Sequence, residues 1–132
     1  MQQTKFMTLA TSEDRDEIRK LGGTGLWRVK PASVHAVDYV VICAHNHARN
    51  NPVNERYSID PYEAFMIGRI SGLMGREKYR IMIDKAADLS VKGAWPKGAR
   101  FSFTYSLATD ILRESLDLNA LEWSDVPAGT FA

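Results

Sequence analysis

The sequence predicts one α+β domain, spanning residues 1–132, in which a strongly bent, mostly antiparallel β-sheet is flanked by short helices. The length of 132 residues, with 45% hydrophobic and 25% charged residues, suits a single domain with its own core. Five or six segments rich in β-branched and aromatic residues follow one another with mostly short turns, which favours antiparallel pairing. Gly68 and Gly72 inside one segment favour a sharp bend, and a sheet that curls into a barrel avoids open edges.

The first predicted element is a short helix within residues 8–23, TLATSEDRDEIRKLGG. Thr11 and Asp14 match a loose capping box, acidic residues fill the first turn and basic residues the last. Gly22, followed by a second glycine, is typical of a helix end.

The predicted strands then follow in chain order as 25–29, 36–45, 64–74, 79–91 and 100–107. The segment 79–91 has a period of two, so Tyr79, Ile81 and Ile83 share one face. A polar loop is expected at 49–63 and a loop with glycine and proline at 92–99. One or two short helices are expected at 108–123, before an extended tail.

Charge and cysteine content exclude some functional classes. Seventeen basic and sixteen acidic residues give a net charge of +1, which removes the strongest argument for bulk nucleic-acid binding but is compatible with a local basic patch. Cys43 is the single cysteine, which excludes an internal disulfide and a CxxC metal site. With no signal-like N-terminus and no apolar run of about 20 residues, we expect a cytoplasmic protein that does not contact a membrane.

The stretch 43–51, CAHNHARNN, raises the question of a metal site. Cys43, His45 and His47 would point the same way in an extended strand, and thiolate and imidazole bind zinc or iron. Cys43 lies in the apolar part of the strand, however, and the spacing to Glu55 does not match the cupin pattern. We therefore predict no cofactor. A small metal-dependent hydrolase or cupin-like enzyme that uses His45 and His47 is the alternative.

Aromatic and polar residues near the predicted strand ends favour a ligand pocket instead. A planar ring needs an aromatic side chain on its face and hydrogen-bonding groups at its edge. The predicted ligand-binding residues are Trp27, His45, Asn46, Arg49, Asn50 and Trp95.

Four stretches between residues 38 and 123 resemble PUA-like small barrels of the EVE, YTH and ASCH group. They are DYVVICAHN, AFMIGRISGLM, YRIMIDKAADL and WPKGARFSFTYS, in that order. The resemblance is one of pattern and order along about two-thirds of the chain. It implies a PUA-like barrel and a nucleic-acid-associated module that holds a modified or unpaired base in an aromatic pocket.

By this resemblance, Trp27 and Trp95 would be the stacking walls, and Asn46 and Asn50 would read the edge of the base. The arginines expected to approach phosphates are Arg49, Arg69 and Arg100. The expected partner is therefore nucleic acid or a nucleotide, and DNA, RNA and a free nucleotide stay open. This binding module is favoured over an enzyme.

Two further alternatives remain. An ASCH-like amidohydrolase would use lysine and glutamate, for which the available residues are Lys30, Lys85, Glu63 and Glu122. A protein-interaction module would use the alternating row Phe101, Phe103 and Tyr105 to pair with a second copy as a homodimer.

Overall fold

The computed structural model of the chain describes residues 6–11, 13, 15–44, 63–91, 103–106 and 117–127. These residues form mostly β-sheet with two short helices, which agrees with an α+β class. In chain order the elements are β1 (Phe6–Thr11), α1 (Arg15–Leu21), β2 (Gly23–Trp27), α2 (Pro31–His35), β3 (Tyr39–Ala44), β4 (Ala64–Arg76), β5 (Lys78–Val91), β6 (Phe103–Ser106) and β7 (Ser124–Asp125). In this part of the chain, no helix has the length and apolar character needed to cross a membrane.

The strands form one sheet with the order β2-β5-β4-β3-β1-β6, and β7 pairs with β5. Every described pairing is antiparallel except that of β1 with β3, which is parallel. A parallel pair needs a crossover connection, and here α1, β2 and α2 provide it. The path of described strands has two ends, β2 and β6, so it is an open sheet and the predicted barrel is not shown.

The N-terminal helix prediction was wrong in its first half. Residues 6–11 form a fully buried strand that pairs with β3 on one side and β6 on the other, and α1 begins only at Arg15. Thr11 is the last residue of this strand, and its hydroxyl accepts a hydrogen bond from the backbone N–H of Glu13 at 3.0 Å. The predicted acidic first turn, basic last turn and end at Gly22, with φ of 72°, are confirmed. Burial between two strands outweighed the local helix signal.

The central strands agree with the predictions more closely. β4 and β5 form the predicted hairpin, with register shifts on both sides of Ile70 that confirm a bend close to Gly72. The short helix α2 has Pro31 in its first turn and was not predicted. Of the predicted C-terminal helices, the described part, 117–123, is turn and irregular backbone that leads into β7. The predicted loops at 49–62 and 92–99 lie outside the described residues.

The sheet has a hydrophobic core on each face, because successive residues of a strand point to opposite sides. Val40 and Ile42 belong to the first core cluster, with Ile18 of α1 and Val34 of α2, so we call this side the helix face. Val41 and its alternating neighbours belong to the second core cluster, on the opposite side, which we call the second face. The segment 117–123 packs there through Leu118, Leu121 and Trp123.

Candidate ligand-binding pocket

A row of side chains crosses four strands on the second face. Tyr39 of β3 is opposite Arg69 of β4, Arg69 is opposite Lys85 of β5, and Lys85 is opposite Asp125 of β7. Tyr39 packs against the second core cluster, and residues directly opposite each other share a face, so Arg69 and Lys85 lie on this face too. The sheet register therefore brings one aromatic ring and two cations side by side.

Trp123 lies over the aromatic end of this row. The rings of Tyr39 and Trp123 have centroids 5.6 Å apart and are tilted by 39°. On the other side of Tyr39, the ring of Phe6 stacks at 5.8 Å. The indole Nε1–H of Trp123 donates to the backbone oxygen of Leu118 at 2.8 Å. This bond fixes the orientation of the indole and uses its N–H, so a ligand meets the ring rather than the N–H.

Between these groups lies a cavity of about 300 Å³. Its volume is at the lower end of the range of small-molecule sites, which begins near roughly 300 Å³. Its lining combines two aromatic rings, two cations, an amide and an aliphatic side chain: Tyr39, Trp123, Arg69, Lys85, Asn119 and Leu118. Such a lining suits a planar ligand that carries negative charge.

Arg69 is held in place by Asp84. Its Nε and Nη2 atoms donate to the two carboxylate oxygens of Asp84, both at 2.7 Å. Asp84 lies between the register pairs Arg69–Lys85 and Ile70–Ile83, so the shift in register delivers its carboxylate. The hydrogen bonds from Arg69 hold the pKa of Asp84 below its usual value, and the same bonds raise the pKa of Arg69. Both groups stay charged, and both are close to half exposed, with side-chain accessibilities of 48% and 44%.

A second cavity, of about 620 Å³, also has Trp123 in its wall. Arg19 of α1 enters it and donates to the hydroxyl of Ser124 at 2.8 Å. Its other charged residues are Asp88 and Glu122. With two carboxylates against one arginine, this cavity suits an anionic ligand less than the first one does.

A buried polar cluster links the β1–α1 connection to β2 and β5. The carboxylate of Glu13 accepts hydrogen bonds from the hydroxyls of Thr24, at 2.5 Å, and Thr11, at 3.1 Å, and from the backbone N–H of Gly25, at 3.3 Å. Arg80 Nη1 lies 3.5 Å from its second oxygen. Burial raises the pKa of Glu13, although each of these partners opposes the rise. Since the carboxylate is surrounded by protein partners, we interpret this cluster as structural.

The structure separates two of the predicted site residues. Arg69 lines the cavity on the second face, whereas Trp27 packs against the first core cluster on the helix face and its Nε1–H donates to Thr24 at 3.3 Å. Arg69 and Trp27 therefore do not line one pocket. The other predicted ligand and phosphate residues lie outside the described residues: His45, Asn46, Arg49, Asn50, Trp95 and Arg100.

The residues considered for catalysis are dispersed. Lys85 lines the first cavity and Glu122 the second, while Lys30 precedes α2 and Glu63, only 4% exposed, precedes β4. Neither of these two cavities has more than one of the four in its lining. The proposed lysine–glutamate pair of an amidohydrolase therefore has no support in the described geometry.

Metal ligation by Cys43 is disfavoured by its surroundings. Its thiol is fully buried in the second core cluster, and burial raises its pKa to about 12, so the thiolate that binds metals is not formed near neutral pH. Among the described residues, no group of three or more His, Cys, Asp or Glu side chains could hold a metal ion. His45 and His47, the ligands of the metal alternative, lie outside the described residues.

The interaction alternative relied on a row in β6. The backbone of β6 pairs with β1, with Phe103 opposite Leu9 and Tyr105 opposite Met7, so one edge of this strand is already used within the chain. Phe101 lies outside the described residues.

Comparison with protein-family models, with curated proteins and with solved structures finds no match for this chain. The resemblance to PUA-like barrels therefore stays a prediction. Sequence reasoning found Arg69 but missed Tyr39 and Trp123, and considered Lys85 only for catalysis. Tyr39 opens the clearest predicted strand, and an aromatic residue at a strand start was the signal available. Nothing in the sequence links Tyr39 to Trp123, which lies 84 positions later.

Proposed function

We propose that this protein is a binding module for the base of a nucleotide, including a modified base, and that the cavity between Tyr39 and Trp123 holds it. The observation that carries the proposal is the combination of two aromatic rings with Arg69 and Lys85 in one cavity of about 300 Å³. Stacking needs the rings and the phosphate needs the cations, and few other small ligands use both. The near-neutral net charge is no obstacle, since the positive charge is local.

The roles of the residues follow from their geometry. Trp123 offers its ring face, because its N–H is bonded to the backbone of Leu118. Tyr39 is supported from behind by Phe6, which keeps its ring in place for stacking. Asn119 carries an amide that can both donate and accept, as the edge of a base requires. We assign base stacking to the two rings and base reading to Asn119.

The two cations are assigned to the phosphate. Arg69 uses Nε and Nη2 for Asp84, which leaves Nη1 on the outer side of the guanidinium. Lys85 is the neighbour of Arg69 across the strands and supplies a second, flexible charge. A phosphate between them would accept charge-assisted hydrogen bonds from both.

The test is calorimetric titration of the purified protein with nucleosides and nucleoside monophosphates. Trp123→Leu removes the stacking surface and should weaken binding by about 1–3 kcal/mol, or roughly 5- to 150-fold. Trp123→Phe keeps a ring and should lose less. Lys85→Met keeps the aliphatic stem and should weaken binding of monophosphates more than binding of nucleosides.

The matched control is Lys20→Met, because Lys20 is exposed on α1, on the helix face, and the charge change is the same. It should bind as the wild type does. Far-UV circular dichroism of each variant separates loss of binding from loss of fold. The proposal fails if no base, nucleotide or oligonucleotide binds, or if Trp123→Leu binds with unchanged affinity.

A further inference from the structure

The β4–β5 hairpin extends beyond the part of the sheet that β3 covers. The pairing of β3 with β4 ends at Tyr39 and Arg69, whereas β4 and β5 stay paired as far as Arg76 and Lys78. The seven residue steps from Arg69 to Arg76 correspond to roughly 23 Å at about 3.3 Å per residue. The hairpin is therefore an arm that begins at the candidate pocket.

The register assigns the two faces of this arm. Leu73 and Tyr79 pack against the first core cluster, which places them on the helix face. Since faces alternate along a strand, Met74 and Arg76, with their partners Arg80 and Lys78, lie on the second face. The pocket and the outer surface of the arm therefore share one side of the sheet.

This surface is open along its length. A Cβ atom added at Gly72, between the pocket and the tip, would meet nothing within 4 Å. Met74 is 47% exposed, and Arg76 and Lys78 are exposed at the tip. Arg80 is turned away, towards Glu13 and the backbone oxygen of Gly23. An extended chain has room to lie along the arm and meets two cations at its end.

The distance decides which ligand can use these cations. At physiological salt the Debye length is about 8 Å, so charges roughly 23 Å from the pocket have little effect on a mononucleotide bound there. Arg76 and Lys78 matter only for a ligand long enough to reach them. A base held between two rings must also be unpaired, which excludes an intact duplex at this point.

We infer that the ligand is a single-stranded nucleic acid, with one base in the pocket and the flanking phosphates along the arm to Arg76 and Lys78. This inference rests on the proposed function, because it uses the same pocket. It adds that the ligand is a polymer rather than a free nucleotide, and that the hairpin is the second contact.

Fluorescence anisotropy with a labelled single-stranded 10-mer and calorimetry with nucleoside monophosphates test the inference together. The double variant Arg76→Ala/Lys78→Ala should bind monophosphates as the wild type does and the 10-mer more weakly. Its dependence of log K on log salt should be shallower by about 1.4, at about 0.7 per phosphate contact on a single strand. Gly72→Glu, which adds a negative charge in open space, should also weaken only the 10-mer.

The matched control is Lys20→Ala/Lys30→Ala, which removes two positive charges from exposed residues beside the helices on the opposite face. It should bind the 10-mer with the wild-type salt dependence. If it loses as much as the hairpin variant, the effect is only net charge and the inference is overturned. If the hairpin variant binds the 10-mer normally while Trp123→Leu loses monophosphates, the proposed function stands and the polymer inference fails. If Trp123→Leu changes nothing, the proposed function fails first.

Discussion

Two glycines of β4, four residues apart, should respond in opposite ways to the same substitution. Gly68 is buried, and a Cβ atom there would lie 2.6 Å from Cγ2, 2.9 Å from Cδ1 and 3.1 Å from Cβ of Ile83. Ile83 is in the first core cluster and is β-branched, so its side chain cannot rotate freely away. An added methyl at Gly72 would meet no atom within 4 Å.

Gly68→Ala should therefore destabilise the fold by about 1–3 kcal/mol, the usual cost of overpacking a core. For a chain of this size that corresponds to a fall in Tm of about 3–5 °C per kcal/mol. Gly72→Ala should leave stability unchanged or raise it by up to about 1 kcal/mol, because alanine restricts the unfolded chain.

The assay is urea unfolding followed by circular dichroism, with the midpoint and the slope both fitted. A double-mutant cycle with Ile83→Ala isolates the clash, because that change removes Cγ2 and Cδ1. In the Ile83→Ala background, Gly68→Ala should cost at least about 1 kcal/mol less than in the wild type. Equal costs in both backgrounds, or a Gly68→Ala variant as stable as the wild type, would refute the close contact.

Three other predictions follow from buried groups. Burial raises the pKa of Glu13 above 4.5, so the folded state holds that proton more tightly than the unfolded state, and stability falls as pH rises from about 4.5 through the folded pKa. Glu13→Gln should gain stability relative to wild type over that range in urea unfolding at stepped pH, and a constant difference would contradict this. Cys43, fully buried and with its pKa raised to about 12, should react with a thiol reagent only after unfolding; rapid stoichiometric labelling of the native protein would show otherwise. Phe65→Ala should cost about 3–5 kcal/mol in the same unfolding assay, and a loss below 1 kcal/mol would contradict its full burial.

Local chemistry in the sequence was enough to predict the long antiparallel hairpin. The alternation of Tyr79, Ile81 and Ile83 is a period-two signal within one segment, and β5 contains it. Gly72 marked a bend because glycine inside a strand has few local explanations, and the register shifts there. These features depend on neighbours only a few residues apart.

The strand β1 could not be recognised in the same way. Residues 8–11 carry polar threonines and precede a helix with well-marked ends, so their local pattern favours the helix. Their burial comes from β3 and β6 on either side, which are supplied by residues more than thirty positions away. Neighbours of that kind override local propensity and leave no trace in the segment itself.

The sequence by itself determined the β-rich class, the hairpin and the presence of aromatic and basic residues suited to a base. Only the tertiary structure decided which of them meet. The register places Tyr39, Arg69 and Lys85 in one row, and Trp123 reaches Tyr39 from the C-terminal segment, whereas Trp27 lies on the other face. The physical reason is that a strand has two faces and a one-residue step exchanges them, so membership of a site depends on register and not on composition.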